Sequence, residues 1–220
     1  MSEKGLWVII PAYNEEKHIT KVIRSTKKYC SNIVIVDDGS KDKTYYSARK
    51  TGSVVLRHIV NLGKGAAVKT GADYALKHGA KILIFMDSDG QHEPKEIPKF
   101  VKALKEVDIV YGSRKITQKM PFVFRFGNGV LNWLMGFVYS IKVSDTQSGY
   151  RALTSEAYKE IKWESNDYRM ESEMIVNAGK KGLKYKEIFI RTLYSDDYKG
   201  TTAIDGIKIA LHILWWKLTR

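Results

Sequence analysis

In its first 112 residues this chain alternates five short apolar runs with four helix-patterned segments. The runs are Leu6 to Ile10, Ile33 to Val36, Ser53 to Arg57, Lys81 to Met86 and Asp108 to Gly112. Helical patterns fill the gaps at Glu15 to Tyr29, Asp42 to Lys50, Gly65 to His78, and Pro94 to about Glu106. Near-continuous apolar strands suit a sheet covered on both faces. Strands separated by helices pair in parallel. The expectation is an α/β fold, a doubly wound, mostly parallel sheet with helices on both faces. Pro11 reads as the stop of the first strand and Asn14 as the N-cap of the first helix. Pro94 reads as the first residue of the fourth helix. The chain shows no internal repeat.

The second half breaks this rhythm. Phe122 to Tyr139 is apolar and aromatic with helical spacing, and Ser144 to Thr154 reads as loop and strand. Met170 to Lys181 reads as a helix closed by Gly182, Leu183 to Thr192 as a strand, and Ser195 to Thr202 as a mobile loop. Ile204 to Leu218 reads as an amphipathic C-terminal helix. This divides the chain into a catalytic-type domain over 1–202 and a C-terminal helix over 203–220.

Composition narrows the class. With 44% hydrophobic and 28% charged residues the chain is globular, without a disordered segment. One cysteine, Cys30, excludes an internal disulfide and suits a reducing compartment. The short polar start predicts no signal peptide. The absence of a run of about 18 uncharged apolar residues predicts no transmembrane helix. A net charge of +13 favours an anionic partner. The lysines are spread along the chain and no reading motif is present, which argues against nucleic acid.

The chemistry gathers at the strand ends, where open α/β sheets bind ligands. The first strand ends in Pro11-Ala12-Tyr13-Asn14-Glu15, and the second in Asp37-Asp38-Gly39-Ser40. The fourth ends in Asp87-Ser88-Asp89-Gly90-Gln91-His92 and the fifth in Gly112-Ser113-Arg114. Singly, each reads as a turn or a helix start. Together they place carboxylates and an amide oxygen at one edge, a costly arrangement unless a cation neutralises it. A hard divalent metal on such oxygens usually holds a phosphate. Gly63-Lys64-Gly65 is not a P-loop, because His58 stands where that motif needs glycine and no Ser or Thr follows Lys64. Gly65 and the neighbouring alanines read as small residues for close helix–sheet packing. His92 reads equally as a ligand or a cap, while His18, His58, His78 and His212 read as surface residues.

These pieces, with Asn61-Leu62-Gly63-Lys64-Gly65-Ala66-Ala67 and Asp145-Thr146-Gln147-Ser148-Gly149-Tyr150-Arg151, match in order and spacing a known pattern. Over about Leu6 to Thr192 the chain resembles the inverting family 2 glycosyltransferases of GT-A fold. Within them it is most similar to the dolichyl- and polyprenyl-phosphate mannose and glucose synthases. The resemblance implies that Pro11, Ala12, Tyr13, Glu15 and Asp37 hold the donor nucleoside, with Lys64 and Ser88 nearby. It implies that Asp87, Asp89 and Gln91 surround Mg2+ or Mn2+ on the donor diphosphate. Arg114, Arg125, Ser148 and Arg151 would face the acceptor phosphate, and Arg191 and Lys199 would clamp the diphosphate. Asp89, Arg114 and Asp145 are the expected catalytic residues. The chain has Tyr198-Lys199-Gly200-Thr201 where the family often carries a Ser-Lys pair.

Two acceptors remain open. A lipid phosphate, with a second pKa of about 6, attacks without a base. A sugar hydroxyl needs a carboxylate base, and Asp145, Glu171 and Glu173 are the candidates. Arg114, Arg125 and Arg151 favour a phosphate. The aromatic residues of 122–139 and the stripe Ile207, Leu211, Leu214, Trp215 and Leu218 suit a membrane interface. The expected enzyme transfers a hexose from a nucleotide sugar, UDP-linked rather than GDP-linked, to a dolichyl or polyprenyl phosphate. It would work in the cytoplasm, peripherally on that face of the membrane. The alternatives are a family 2 enzyme with a saccharide acceptor and a non-catalytic protein binding sugar nucleotides or lipid phosphates.

Overall fold

The computed structural model describes residues 5–114, 122–139, 141–191 and 203–219, with the backbone alone at 122–128, 203–205 and 218. Seven strands form one sheet in the order β3-β2-β1-β4-β6-β5-β7. They are β1 (Leu6–Ala12), β2 (Ile33–Asp37), β3 (Val54–Arg57), β4 (Ile82–Phe85), β5 (Ile109–Arg114), β6 (Arg151–Thr154) and β7 (Tyr185–Ile190). All pair in parallel except β6, which runs antiparallel between β4 and β5.

Strand alternation divides the core into two layers. Leu6, Val8, Ile10, Ile33, Ile35 and Ile84 face a layer covered by α1 (Ile19–Thr26), α2 (Thr44–Arg49) and α4 (Ile97–Ala103). Trp7, Ile9, Val34, Leu83, Phe85, Ile109 and Tyr111 face the opposite layer. The helices on that side include α3 (Lys64–Lys77), α5 (Phe122–Tyr139), α7 (Met170–Lys180) and α8 (Ala203–Thr219). The short α6 (Ser155–Glu160) follows β6 and begins at Thr154, whose side chain accepts from Ala157 N–H. The expected doubly wound sheet is present.

Three local expectations are corrected. Pro11 does not stop β1, because the strand continues to Ala12 beside β2. The ladder to β4 ends at Ile9, and Val8 donates towards β2, so by alternation the missing Pro11 N–H faces the side where pairing has ended. Asn14 does not cap α1, which begins four residues beyond the expected start, after His18. Asn14 sits at φ 55°, donates its N–H to Ser40 Oγ at 2.9 Å, and receives Lys41 N–H on Oδ1 at 2.9 Å. It therefore ties the first strand-end loop to the second. Pro94 opens a 3₁₀ turn (Pro94–Glu96), and α4 follows it.

The aromatic segment and the C-terminal helix pack together. Leu131, Leu134 and Met135 of α5 and Ile209, Ile213 and Trp216 of α8 are buried, and Tyr139 Oη donates to the Ile213 carbonyl at 2.9 Å. Ile207, Leu211, Leu214 and Trp215 of the expected stripe are exposed on the other side of α8. The helix is thus apolar on two sides, not amphipathic about one. Among the described residues no helix is long and apolar enough to cross a membrane.

Candidate active site

A cavity of about 390 Å³ opens at the carboxyl ends of β1, β2 and β4, on the α3 side of the sheet. Pro11, Ala12, Tyr13 and Glu15 line it from β1, and Asp38 from β2. Asp87, Ser88 and Asp89 line it from β4, and Asn61, Gly63, Lys64 and Ala67 from the start of α3. Asp167 and Tyr168 complete the wall. Three of the four expected strand ends, those of β1, β2 and β4, therefore meet at one cavity.

Lys64 is its electrostatic centre. Its Nζ lies 2.6 Å from Asp87 Oδ1 and 2.9 Å from Glu171 Oε1. Burial alone would lower the lysine pKa, but these two carboxylates raise it above its ordinary value. Burial would likewise raise Asp87, yet Lys64 brings that carboxyl down to about 2. Asp89 goes the other way, to about 6, through burial and then through the neighbouring Asp87 charge. His92 is pushed down to about 4 by burial. Its Nδ1 accepts the Asp87 N–H at 3.1 Å, so the neutral ring carries its proton on Nε2. The ring stacks on Tyr150, 4.8 Å between centroids. His92 therefore braces the aspartate loop, whereas the turn that opens at Pro94 has no side-chain cap, so the expected capping role is not the one the residue plays.

Asp87 and Asp89 form a hard-oxygen donor pair short of positive charge, as the elevated Asp89 shows. This chemistry fits a divalent cation such as Mg2+ or Mn2+. Among the described residues no three His, Cys, Asp or Glu side chains converge as a metal cage. Two carboxylates that leave the other positions to phosphate oxygens and water are the sparse set Mg2+ prefers. Gln91, expected as a third ligand, is buried and outside the cavity lining, and its contribution is a backbone N–H to Asp89 Oδ1 at 2.9 Å.

Asp37 does not reach the cavity. Like Ile33 and Ile35 it faces the α1–α2 layer, fully buried, 3.0 Å from Arg57 Nε. Asp38, one residue on, faces the cavity. It accepts the N–H groups of Leu62 and Gly63 at 3.0 and 2.8 Å and pairs with His58 Nδ1 at 2.7 Å. His58 Nε2 reaches Thr70 Oγ1 at 3.0 Å, so this histidine is an inward bridge and not a surface residue. The network fixes Gly63, at φ 98°, and thereby the start of α3 and Lys64.

Sequence reasoning also missed the wall from Trp163 to Tyr168. The Asn166 carbonyl accepts the N–H groups of Gly65 and Ala66 at 2.7 and 3.3 Å, capping α3 from outside. A side chain on Gly65 would meet the Ser165 carbonyl at 2.3 Å, so this glycine admits the wall. Close approach to the sheet belongs to Gly71, where a Cβ would lie 2.6 Å from Ile9. No local pattern marks residues 163–168 as a wall, because their partners at the start of α3 lie about a hundred residues away in the chain.

Beyond the cavity, Arg114 is held in a fork by Asp145. Nε donates to Oδ2 at 2.7 Å, Nη2 to Oδ1 at 2.9 Å, and the backbone N–H to Oδ2 at 3.1 Å. Arg191 is exposed one residue past Ile190, the β7 partner of Arg114. Two acceptor expectations are corrected. Arg151 is 1% exposed and spends its guanidinium on the carbonyls of Ser148, Glu171 and Thr146. Ser148 is buried, and its hydroxyl has no hydrogen-bond partner among the described residues. Neither faces an acceptor. The Arg125 side chain and all of Lys199 lie outside the described residues.

Fold and site together define a GT-A glycosyltransferase. The glucosyl-3-phosphoglycerate synthase of Mycobacterium tuberculosis superposes with a TM-score of 0.75 at 20% identity, covering 97% of this chain and 78% of that one. The model of glycosyl transferase family 2 matches residues 7–162, and this chain belongs to that family. An uncharacterized protein of Methanocaldococcus jannaschii is 42% identical over 99% of this chain and 94% of its own. The UDP-N-acetylglucosamine–dolichyl-phosphate N-acetylglucosaminyltransferase of Methanococcus voltae is 33% identical over 99% and 98%. The family makes the chain an enzyme, and the reading as a mere binding protein gives way.

Proposed function

We propose that this enzyme transfers a hexose, with inversion, from a UDP-linked sugar to a dolichyl or polyprenyl phosphate. The observation that carries the acceptor is the state of the carboxylates. Asp145 is committed to Arg114, Glu171 to Lys64, and Glu173 to the N–H groups of Glu164 and Ser165 at 3.0 and 2.9 Å. Each of the three candidate bases is held by a partner, Glu171 through Oε1 alone with Oε2 buried and unpartnered among the described residues, while a forked, oriented arginine stands at the same sheet edge. A phosphate acceptor needs no base, since it is largely dianionic above its second pKa of about 6. It needs a cation that aims it, and Arg114 supplies one.

In this reading the nucleoside lies against Pro11, Ala12 and Tyr13, with Asp38, Asn61 and Tyr168 around it. Lys64 faces the diphosphate. Asp87 and Asp89 would hold Mg2+ or Mn2+, which offsets the charge that builds on the departing nucleoside diphosphate. An acceptor phosphate oxygen forms a bond to the anomeric carbon as the bond to the donor diphosphate breaks, and that electron pair leaves with the nucleotide. The Methanococcus voltae relative supports both a UDP donor and a dolichyl phosphate acceptor. The exposed Trp133, Phe137, Leu211 and Trp215, beside Lys208 and Lys217, support peripheral attachment to the membrane that carries the lipid.

Purified enzyme would be offered UDP-N-acetylglucosamine, UDP-glucose and GDP-mannose with Mg2+ or Mn2+, against polyprenyl phosphate and against free saccharides. The expected result is a glycosylated lipid phosphate from a UDP-sugar, lost with chelator and with Asp89→Ala. Transfer to saccharides alone would overturn the acceptor, and full activity of Asp89→Ala would overturn the metal assignment.

A further inference from the structure

Asp145 aims Arg114, and one side chain of α5 brackets Asp145. Asn132 Nδ2 donates to the carbonyl of Ser144 at 2.6 Å, and Asn132 Oδ1 accepts the N–H of Thr146 at 3.1 Å. The two bonds fix the amide orientation, since the flipped amide would set donor against donor and acceptor against acceptor. Residue 145 is thus clasped from both sides by one amide, as a neighbouring strand would clasp it. Ser144 is tied to the sheet as well. Its hydroxyl gives its proton to Glu187 Oε1 at 2.8 Å, so the Ser113 hydroxyl must donate to Ser144 Oγ across their 2.7 Å contact. Asn132 belongs to a helix anchored in the core by Leu131, Leu134 and Met135, a rigid element from which to hold a loop.

We propose that Asn132 is a positioning residue of the acceptor site, acting through Asp145 to set the direction of Arg114. The proposal rests on Arg114 as the acceptor-phosphate contact. Asparagine suits the position because it offers one donor and one acceptor in one plane. Aspartate has the same shape but turns a carboxylate oxygen towards the Ser144 carbonyl. Leucine has similar volume and makes neither bond.

The test compares wild type, N132D and N132L in two measurements. In steady-state kinetics with polyprenyl phosphate, both variants are expected to raise the acceptor KM by about tenfold, the loss of one to two net hydrogen bonds. The KM for the nucleotide sugar stays within about twofold. A packing role predicts a normal N132D and an impaired N132L, and that pattern would overturn the proposal. The second measurement is the hydrogen exchange of the Arg114 Nε–H by NMR, assigned by its loss in Arg114→Lys. Faster exchange in N132D, with its melting temperature near that of wild type, supports the clasp. Unchanged exchange in both variants overturns it. Should wild type fail to glycosylate polyprenyl phosphate, the acceptor reading falls by itself, while the exchange measurement still decides for or against Asn132.

Discussion

A methyl group on Gly149 would lie 2.7 Å from both Lys64 Nζ and Asp87 Oδ2. The backbone there is not in the left-handed region, so alanine meets no conformational penalty of its own. The conflict is confined to the ion pair that governs the donor cavity. Gly149→Ala is therefore expected to weaken nucleotide binding by about tenfold or more, since a bond to a charged group is worth roughly 1.5–3 kcal/mol. Its melting temperature should change little. Titration calorimetry with UDP and Mn2+ reads this, and an unchanged affinity would remove Gly149 from the site. Asp145→Asn makes the complementary case. It keeps the shape but surrenders the charge that forks Arg114, so acceptor kcat/KM should fall by about 10- to 100-fold. Nucleotide affinity should hold. At this scale the sequence was legible in type and misread in direction. Asp37 and Asp38 both stood out, but strand parity puts Asp37 with Ile33 and Ile35 on the far face and leaves Asp38 for the cavity. Arg151 looked like a phosphate ligand because arginine so often is one, and its burial is decided by contacts that no local pattern carries.

Arg151 shows what holds the elements around the site together. It sits at the start of β6, and its guanidinium gathers carbonyls from the Thr146–Ser148 loop and from the first residues of α7. The Tyr111 ring lies against it, 5.2 Å from the charge centre. Arg151→Met keeps much of the volume and leaves three buried carbonyls unmet. Relief from burying a charge offsets part of that cost. The net expectation is a loss of about 2–4 kcal/mol, or roughly 4–16 °C in melting temperature for a chain of this size. Scanning calorimetry checks it, and a variant as stable as wild type would show the carbonyls finding water instead. The strands were readable because apolar runs bounded by polar ends have few other uses. Helix starts were less so. Asn14 suggests a cap, but Asn14 and Glu16 bind backbone of the next loop, and Asp42, one residue before the α2 N-cap Lys43, takes the Thr44 N–H at 2.9 Å and the Glu16 N–H at 3.1 Å. Capping residues spent on tertiary bonds look the same in sequence as caps.

Across the whole molecule, charge and apolar surface combine on the α5–α8 side. Val130, Trp133 and Phe137 of α5 and Ile207, Leu211, Leu214 and Trp215 of α8 are exposed, and Trp133 stacks on Phe137 at 5.4 Å. An apolar area with tryptophans and lysines is suited to the boundary between headgroups and acyl chains. The net charge of +13 adds a long-range attraction to an anionic leaflet. The two contributions respond differently to salt. The electrostatic part is screened within a Debye length of about 8 Å near physiological ionic strength, whereas apolar insertion is not. Binding to vesicles of phosphatidylglycerol and phosphatidylcholine should therefore weaken as salt rises but reach a residual level. Replacing Trp133 and Trp215 by serine should remove that residual and leave most of the low-salt binding. Both residues are more than half exposed, at 65% and 61%, so the double variant should melt within a few degrees of wild type. Co-sedimentation across a salt series separates the outcomes. If serine at both positions leaves high-salt binding intact, this face is not what meets the membrane.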